Sequence, residues 1–131
     1  MSRTTLGAVL TIALAAGCTP SVDEGKATYT EFCAGCHGVG GHGDGPLAAD
    51  LARSPADLTM LSAKNGGTFP QVEVMSVIDG YGRTDQGVNP MPEFGDDLHS
   101  RMLLVDTGDG VLTPTPERLA ALTDYLRSLQ Q

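Results

Sequence analysis

The residues best placed to do chemistry in this chain are Cys33, Cys36 and His37, in the run Cys33-Ala34-Gly35-Cys36-His37. Residues three apart lie on one side of a helical turn. Two sulfurs so placed can form thioethers with the two vinyl groups of one haem, and the adjoining His37 is then held beneath the iron as an axial ligand. The competing reading is a redox dithiol or a disulfide. Dithiol motifs of the thioredoxin kind follow a strand in a βαβ setting, and no strand-like pattern precedes residue 33. The sequence therefore predicts one covalently attached haem c.

Iron held by one imidazole needs a second ligand or keeps an open position. The sequence offers Met60, Met75, Met91, Met102, His42 and His99. Met91 stands in Asn89-Pro90-Met91-Pro92-Glu93-Phe94, an extended segment that two prolines stiffen. A rigid loop of this kind can hold a thioether against the metal. Met75 and Met102 fall in stretches that read as helical and are expected to pack, and Met60, in a loop, is the runner-up. His42 follows His37 too closely to reach the opposite face, and His99 reads as an exposed helix residue. The predicted metal ligands are therefore His37 and Met91. Such a pair raises the reduction potential relative to two histidines. With no open coordination position, the iron suits outer-sphere electron transfer better than substrate chemistry.

These residues need elements to position them. Ser21-Val22-Asp23-Glu24 has the pattern of a capping box, which starts a helix expected to end near His37. Val22, Tyr29, Phe32, Cys33 and Cys36 form its apolar face, and Gly25 on that face would let another backbone approach closely. Residues 38–46 are too glycine-rich for regular structure and are expected to wrap one edge of the cofactor. One or two helical turns are expected over 48–53, a loop or short turn over 55–61, and a helix over 70–79 with Val74, Val77 and Ile78 inward. A loop follows over 81–96, a short helix over 96–104 and a polar loop over 106–114. The last helix is expected with Thr115 as N-cap and Pro116 at its first position. Its apolar stripe is Leu119, Leu122, Tyr125, Leu126 and Leu129. The predicted class is all-α, with three to five helices and long Gly/Pro-rich loops around one haem.

A third cysteine closes an N-terminal segment of a different kind. Arg3 is the only charge before an apolar run from Leu6 to Ala16. That is the plan of an export signal, and the run is shorter than the roughly 20 residues a membrane span needs. Leu14-Ala15-Ala16-Gly17-Cys18 resembles a bacterial lipobox, although Ala15 stands where leucine is usual. Cleavage there leaves a diacylated Cys18 as the mature N-terminus, whereas ordinary cleavage after Ala15 would leave a free thiol. The expected division is a signal peptide over 1–17, an acylated cysteine and tether over 18–20, and one domain over 21–131. Only Thr19 and Pro20 separate Cys18 from the helix cap, so the tether spans roughly 10 Å and keeps the domain against the membrane. The expected location is the periplasmic side of a bacterial membrane, or the soluble periplasm if Cys18 is not acylated.

The whole chain carries 8 basic and 16 acidic side chains, a formal charge of −8. Loss of Arg3 with the signal would leave 7 and 16, a charge of −9. Such a protein repels nucleic acid and anionic lipid at long range, and suits partners with basic docking faces. With 17 glycines and no Trp, its own core is thin, and a buried cofactor would supply the missing apolar surface.

Together these features resemble the class I cytochrome c family over essentially the whole mature chain. The residues that carry the likeness are Cys33-x-x-Cys36-His37, Met91-Pro-x-Phe94, the spacing Gly25-x3-Tyr29-x3-Cys33, and Leu122-x2-Tyr125. The resemblance implies that the first and last helices cross at Gly25 and Tyr29. It also implies that the carbonyl of Pro46, in Gly43-Asp44-Gly45-Pro46, accepts the other ring N–H of His37; the bland alternative is a plain turn. The stretch 101–115 exceeds what a minimal member needs, and is read as decoration, with partner docking as the alternative. The leading function is a one-electron carrier serving a membrane respiratory complex. The second is the cytochrome subunit of a periplasmic dehydrogenase or oxidase complex, and the third a haem enzyme or gas sensor with an open iron.

Overall fold

A computed structural model describes residues 21–81, 91–108 and 110–131. The expected signal segment, Cys18 and the loop over 82–90 lie outside the described residues.

Helix α1 spans Val22–Phe32. Its start is the predicted one, with Ser21 Oγ accepting the Glu24 amide at 3.1 Å. The expected continuous helix to His37 is interrupted at Cys33, whose φ of −114° ends α1 and begins the four-residue α2, Ala34–His37. Single 3-10 turns occupy 48–50 and 58–60. A short α3, Leu61–Lys64, is followed by α4, Gln71–Asp79, which ends on Gly80 in the left-handed conformation. Val74 and Ile78 are buried as expected, whereas Val77 is exposed. The final helix, α5, spans Glu117–Ser128.

The protein is mostly helical, but the all-α expectation does not hold. Strands β1, Met102–Asp106, and β2, Leu112–Pro116, form an antiparallel hairpin. It replaces the end of the helix expected over 96–104 and the polar loop expected over 106–114. Thr115 is correspondingly a strand residue, 2 % exposed, rather than an N-cap, and Pro116 occupies the cap position. Supports for the start of α5 come from outside the helix. The Glu117 amide donates to the Arg101 carbonyl at 2.9 Å, and the Arg118 amide to Ser100 Oγ at 3.1 Å.

The core forms where α1 crosses α5. A Cβ on Gly25 would overlap the Ala121 carbonyl, so the two backbones touch at this point as the sequence predicts. Tyr29 and Tyr125 stack beside it with ring centroids 5.3 Å apart. Leu119, Leu122, Tyr125 and Leu126 bury the predicted stripe of α5, and Leu98 and Ile78 close the core from the far side. Among the described residues no helix is long and apolar enough to cross a membrane.

Candidate functional site

The loop after His37 is organised by the four carbonyls that a short helix leaves unpaired at its end. The Gly43 amide donates to the His37 carbonyl at 2.8 Å, Gly45 to Cys36 at 3.1 Å and Leu47 to Gly35 at 2.9 Å. Gly45 lies so close to Gly35 and Ala34 that a side chain has no room. Gly38, Gly41 and Gly43 all take positive φ. The buried Tyr29 hydroxyl donates to the Gly38 carbonyl at 2.6 Å, and burial pushes its phenol pKa up. The glycines predicted to wrap a cofactor edge thus wrap the Cys-x-x-Cys-His turn itself.

That arrangement overturns the expectation for Pro46. The segment around it turns back onto α2 through the Gly45 and Leu47 amides, while Pro55 and Ala56 pass against Gly43. The acceptor facing Nδ1 of His37 is the Ala56 carbonyl, at 3.0 Å. A carbonyl oxygen can only accept, so Nδ1 is the donor in this bond. The bond fixes the ring orientation and leaves Nε2 as the nitrogen that could hold a metal.

The segment just after Ala56 is held from three directions. The Leu58 amide donates to the Gly41 carbonyl at 2.7 Å. The Asp57 carboxylate accepts the Thr59 hydroxyl at 2.6 Å and the Thr59 amide at 2.9 Å, and the hydroxyl bond, with the amide bond, lowers its pKa below the ordinary 3.8. Gln130 donates to the Leu58 carbonyl and accepts the Ser62 amide, both at 2.8 Å. Neither Ala56 nor Gln130 is visible as a functional residue in the sequence. A backbone carbonyl has no residue signature, and one glutamine beyond α5 looks like a frayed end.

A cavity of about 340 Å³ opens beside this support. Cys33, His37 and Met91 line it together with Leu58, Leu61 and Ile78, and Lys64 and Glu73 stand at its exposed rim. Of the six candidates for the second ligand, Met91 alone reaches this wall among the described residues. Met75 packs against the core, Met60 is half-buried at a turn, and Met102 is exposed on β1. His99 is exposed, and His42 lies 3.7 Å from Asp57. The segment carrying Met91 is anchored just beyond it. The Phe94 amide donates to the Ile78 carbonyl at 2.9 Å, and the Phe94 ring meets Phe32 edge-on at 5.9 Å.

Both thiols are free. Burial, with the neighbouring Cys36, pushes the Cys33 thiol up to about 11. Reactive dithiols instead depend on a lowered thiol pKa, so this environment does not suit disulfide exchange. Cys33, the His37 imidazole, the Met91 thioether and an otherwise apolar wall do suit a flat iron macrocycle joined through its periphery; Cys36 does not line this wall and lies one turn further along α2.

A family model described as cytochrome c oxidase, cbb3-type, subunit III matches residues 20–103. Comparison with curated proteins finds no match.

Proposed function

From the premise that the chain belongs to the cytochrome c family of cbb3-type oxidase subunit III, and is thus a class I c-type cytochrome with covalently bound haem c, we propose that it is a monohaem electron carrier tethered to a membrane. Haem c supplies a one-electron iron couple. In this reading Cys33 and Cys36 make the two thioethers, and His37 and Met91 are the axial ligands. What carries the reading is that Cys33, His37 and Met91 line one cavity while His37 Nδ1 is tied to the Ala56 carbonyl.

Each residue then has a distinct task. The Ala56 bond would hold the ring against rotation and leave Nε2 as the nitrogen that would bind the iron. Leu58, Leu61 and Ile78 exclude water and keep the surroundings apolar, which penalises the more highly charged ferric site and raises the potential. Met91 would occupy the position where an external ligand could otherwise bind. An iron held by both His37 and Met91 would exchange electrons by an outer-sphere route.

Export and acylation at Cys18 would place the domain within roughly 10 Å of the bilayer, given the two intervening residues. A membrane respiratory complex is then the nearest partner, and the acidic charge of −8 suits a basic docking face. The matched family's description also favours a second reading, in which the chain is a resident subunit of an oxidase complex. Stable co-purification with a catalytic subunit would support that reading over the mobile carrier.

The test is an optical one on protein matured in a host that attaches haem. A pyridine haemochrome spectrum should report two thioethers on one haem per chain, and the oxidised form should show the weak far-red iron–sulfur band. Replacement of Met91 by Ala should remove that band. A far-red band that survives the replacement would refute the ligand assignment.

A further inference from the structure

The hairpin of β1 and β2 extends past residue 103, where the family match ends, and electron carriage alone gives it no task. Its hydrogen-bonding parity follows from one contact. The Glu117 amide donates inward to the Arg101 carbonyl, so by alternation the inward-bonded pairs are Leu103 with Thr115 and Val105 with Thr113. The backbone groups of Met102, Leu104 and Asp106 then point away from β2, and those of Leu112, Pro114 and Pro116 point away from β1. Two of the three outward positions on β2 are prolines without an N–H, which closes that edge to a further strand. The outer edge of β1 keeps all three donors, and no hydrogen bond joins those backbone groups to the rest of the described chain.

The pleat sorts the side chains as unevenly. Thr115 faces inward and is buried. Met102, Leu104 and Leu112 share the outer face and are 52 %, 65 % and 58 % exposed. An unpaired, proline-free edge beside an exposed apolar face is a template for strand addition.

We propose that the outer edge of β1 receives an extended segment of a basic protein partner as a third strand. This rests on the reading of the chain as an electron carrier. Charge selects the occupant. The chain is strongly acidic overall and Asp106 ends the open edge, while Glu117 and Glu31 near the hairpin base are neutralised by Arg101 and Arg118 and offer no repulsion to a basic strand. A second copy would bring like charge against like, whereas Lys and Arg flanking an apolar strand would be drawn to the edge. Alternate apolar residues of the added strand would cover Met102 and Leu104.

Leu104→Pro tests the edge directly, because it deletes an outward N–H and leaves the bonds to Thr113 and Thr115 in place. Leu104→Lys tests the charge without altering the backbone, and Val72→Lys, on the exposed side of α4, is the control. Each variant is prepared as holo-cytochrome and its oxidation is followed with membranes of its own host and, separately, with ferricyanide. Both Leu104 variants should raise KM for the membranes about tenfold, Leu104→Pro by removing an interstrand hydrogen bond with its neighbouring contacts and Leu104→Lys by setting like charge against the basic strand. The ferricyanide rate, the spectrum and the control should not change. A photo-crosslinker at 104 should join a lysine- or arginine-rich segment of a membrane redox protein. Wild-type KM in both Leu104 variants, or a crosslink to lipid or to a second copy, would overturn the proposal while leaving the carrier reading intact. If unaltered holo-cytochrome exchanges no electrons with the membranes, the carrier reading fails instead, and the crosslink still decides the edge.

Discussion

The histidine side of the cavity and the methionine side are built by different means. Around His37, loop amides close onto α2, Nδ1 is tied to Ala56, and Gln130 braces the segment on which Ala56 sits. Around Met91 the described support includes Phe94 on Phe32, Glu93 against Gly80, and a backbone bond from Phe94 to Ile78. Hydrogen bonds are directional and fix a ring to a fraction of an ångström, whereas apolar contacts tolerate sliding. The lesson is that the His37 ring is oriented by a specific hydrogen bond before any metal arrives. If Met91 completes the site as proposed, its replacement should open that site to an external ligand.

Five changes would break or sharpen that contrast. The largest effect should come from His37→Ala, which orphans the Ala56 carbonyl and removes the proximal nitrogen; absorption spectra should show complete loss of the low-spin form. Gly25→Ala strikes the frame common to both sides, since its methyl collides with the Ala121 carbonyl. It should cost about 3 kcal/mol in denaturant unfolding of the holo-protein. Met91→Ala should cost about 2 kcal/mol for the half-buried side chain and let the ferrous form bind carbon monoxide, with haem still attached. If carbon monoxide binds the unmodified protein equally well, the contrast between the two sides has been drawn in the wrong place.

Gln130→Ala should be milder, about 1–2 kcal/mol for three lost side-chain hydrogen bonds at a part-buried site, and should shift the reduction potential without abolishing the far-red band. The smallest effect concerns Asp57. Its folded-state pKa lies below the ordinary 3.8. Its stabilising bonds to Thr59 are thus fully present above that value and are lost as pH falls through the lower folded-state value. Asp57→Asn should flatten the acid end of a melting-temperature profile and leave the neutral end nearly unchanged. A variant profile that parallels the unmodified one below pH 3.8 would remove Asp57 from the proximal support.

Where local chemistry decides, the sequence was legible. Ser21 caps α1, Gly80 stops α4, Gly25 marks the helix crossing, and the proline-flanked Met91 stands at the cavity. What could not be read depends on distant partners. The acceptor for His37 is decided by how 55–56 crosses Gly43, not by the turn chemistry at Pro46. The β2 segment Leu112-Thr-Pro-Thr-Pro116 looks like a breaker, because proline is tolerated in a strand only where its missing N–H would face outward. That condition becomes visible once β1 is paired. Thr115, a good cap by residue type, lost that position to the strand.

The break at Cys33 leaves the two thiols at different depths, Cys33 buried and Cys36 half-exposed. In the folded chain a reagent arriving from solvent meets Cys36 first, and Cys33 is both shielded and held in its poorly nucleophilic protonated form. If both cysteines anchor the haem as proposed, a chain that closed around an empty cavity would strand one of them. Both carbon–sulfur bonds are then expected to form on a still-open polypeptide, with the helices drawn together afterwards.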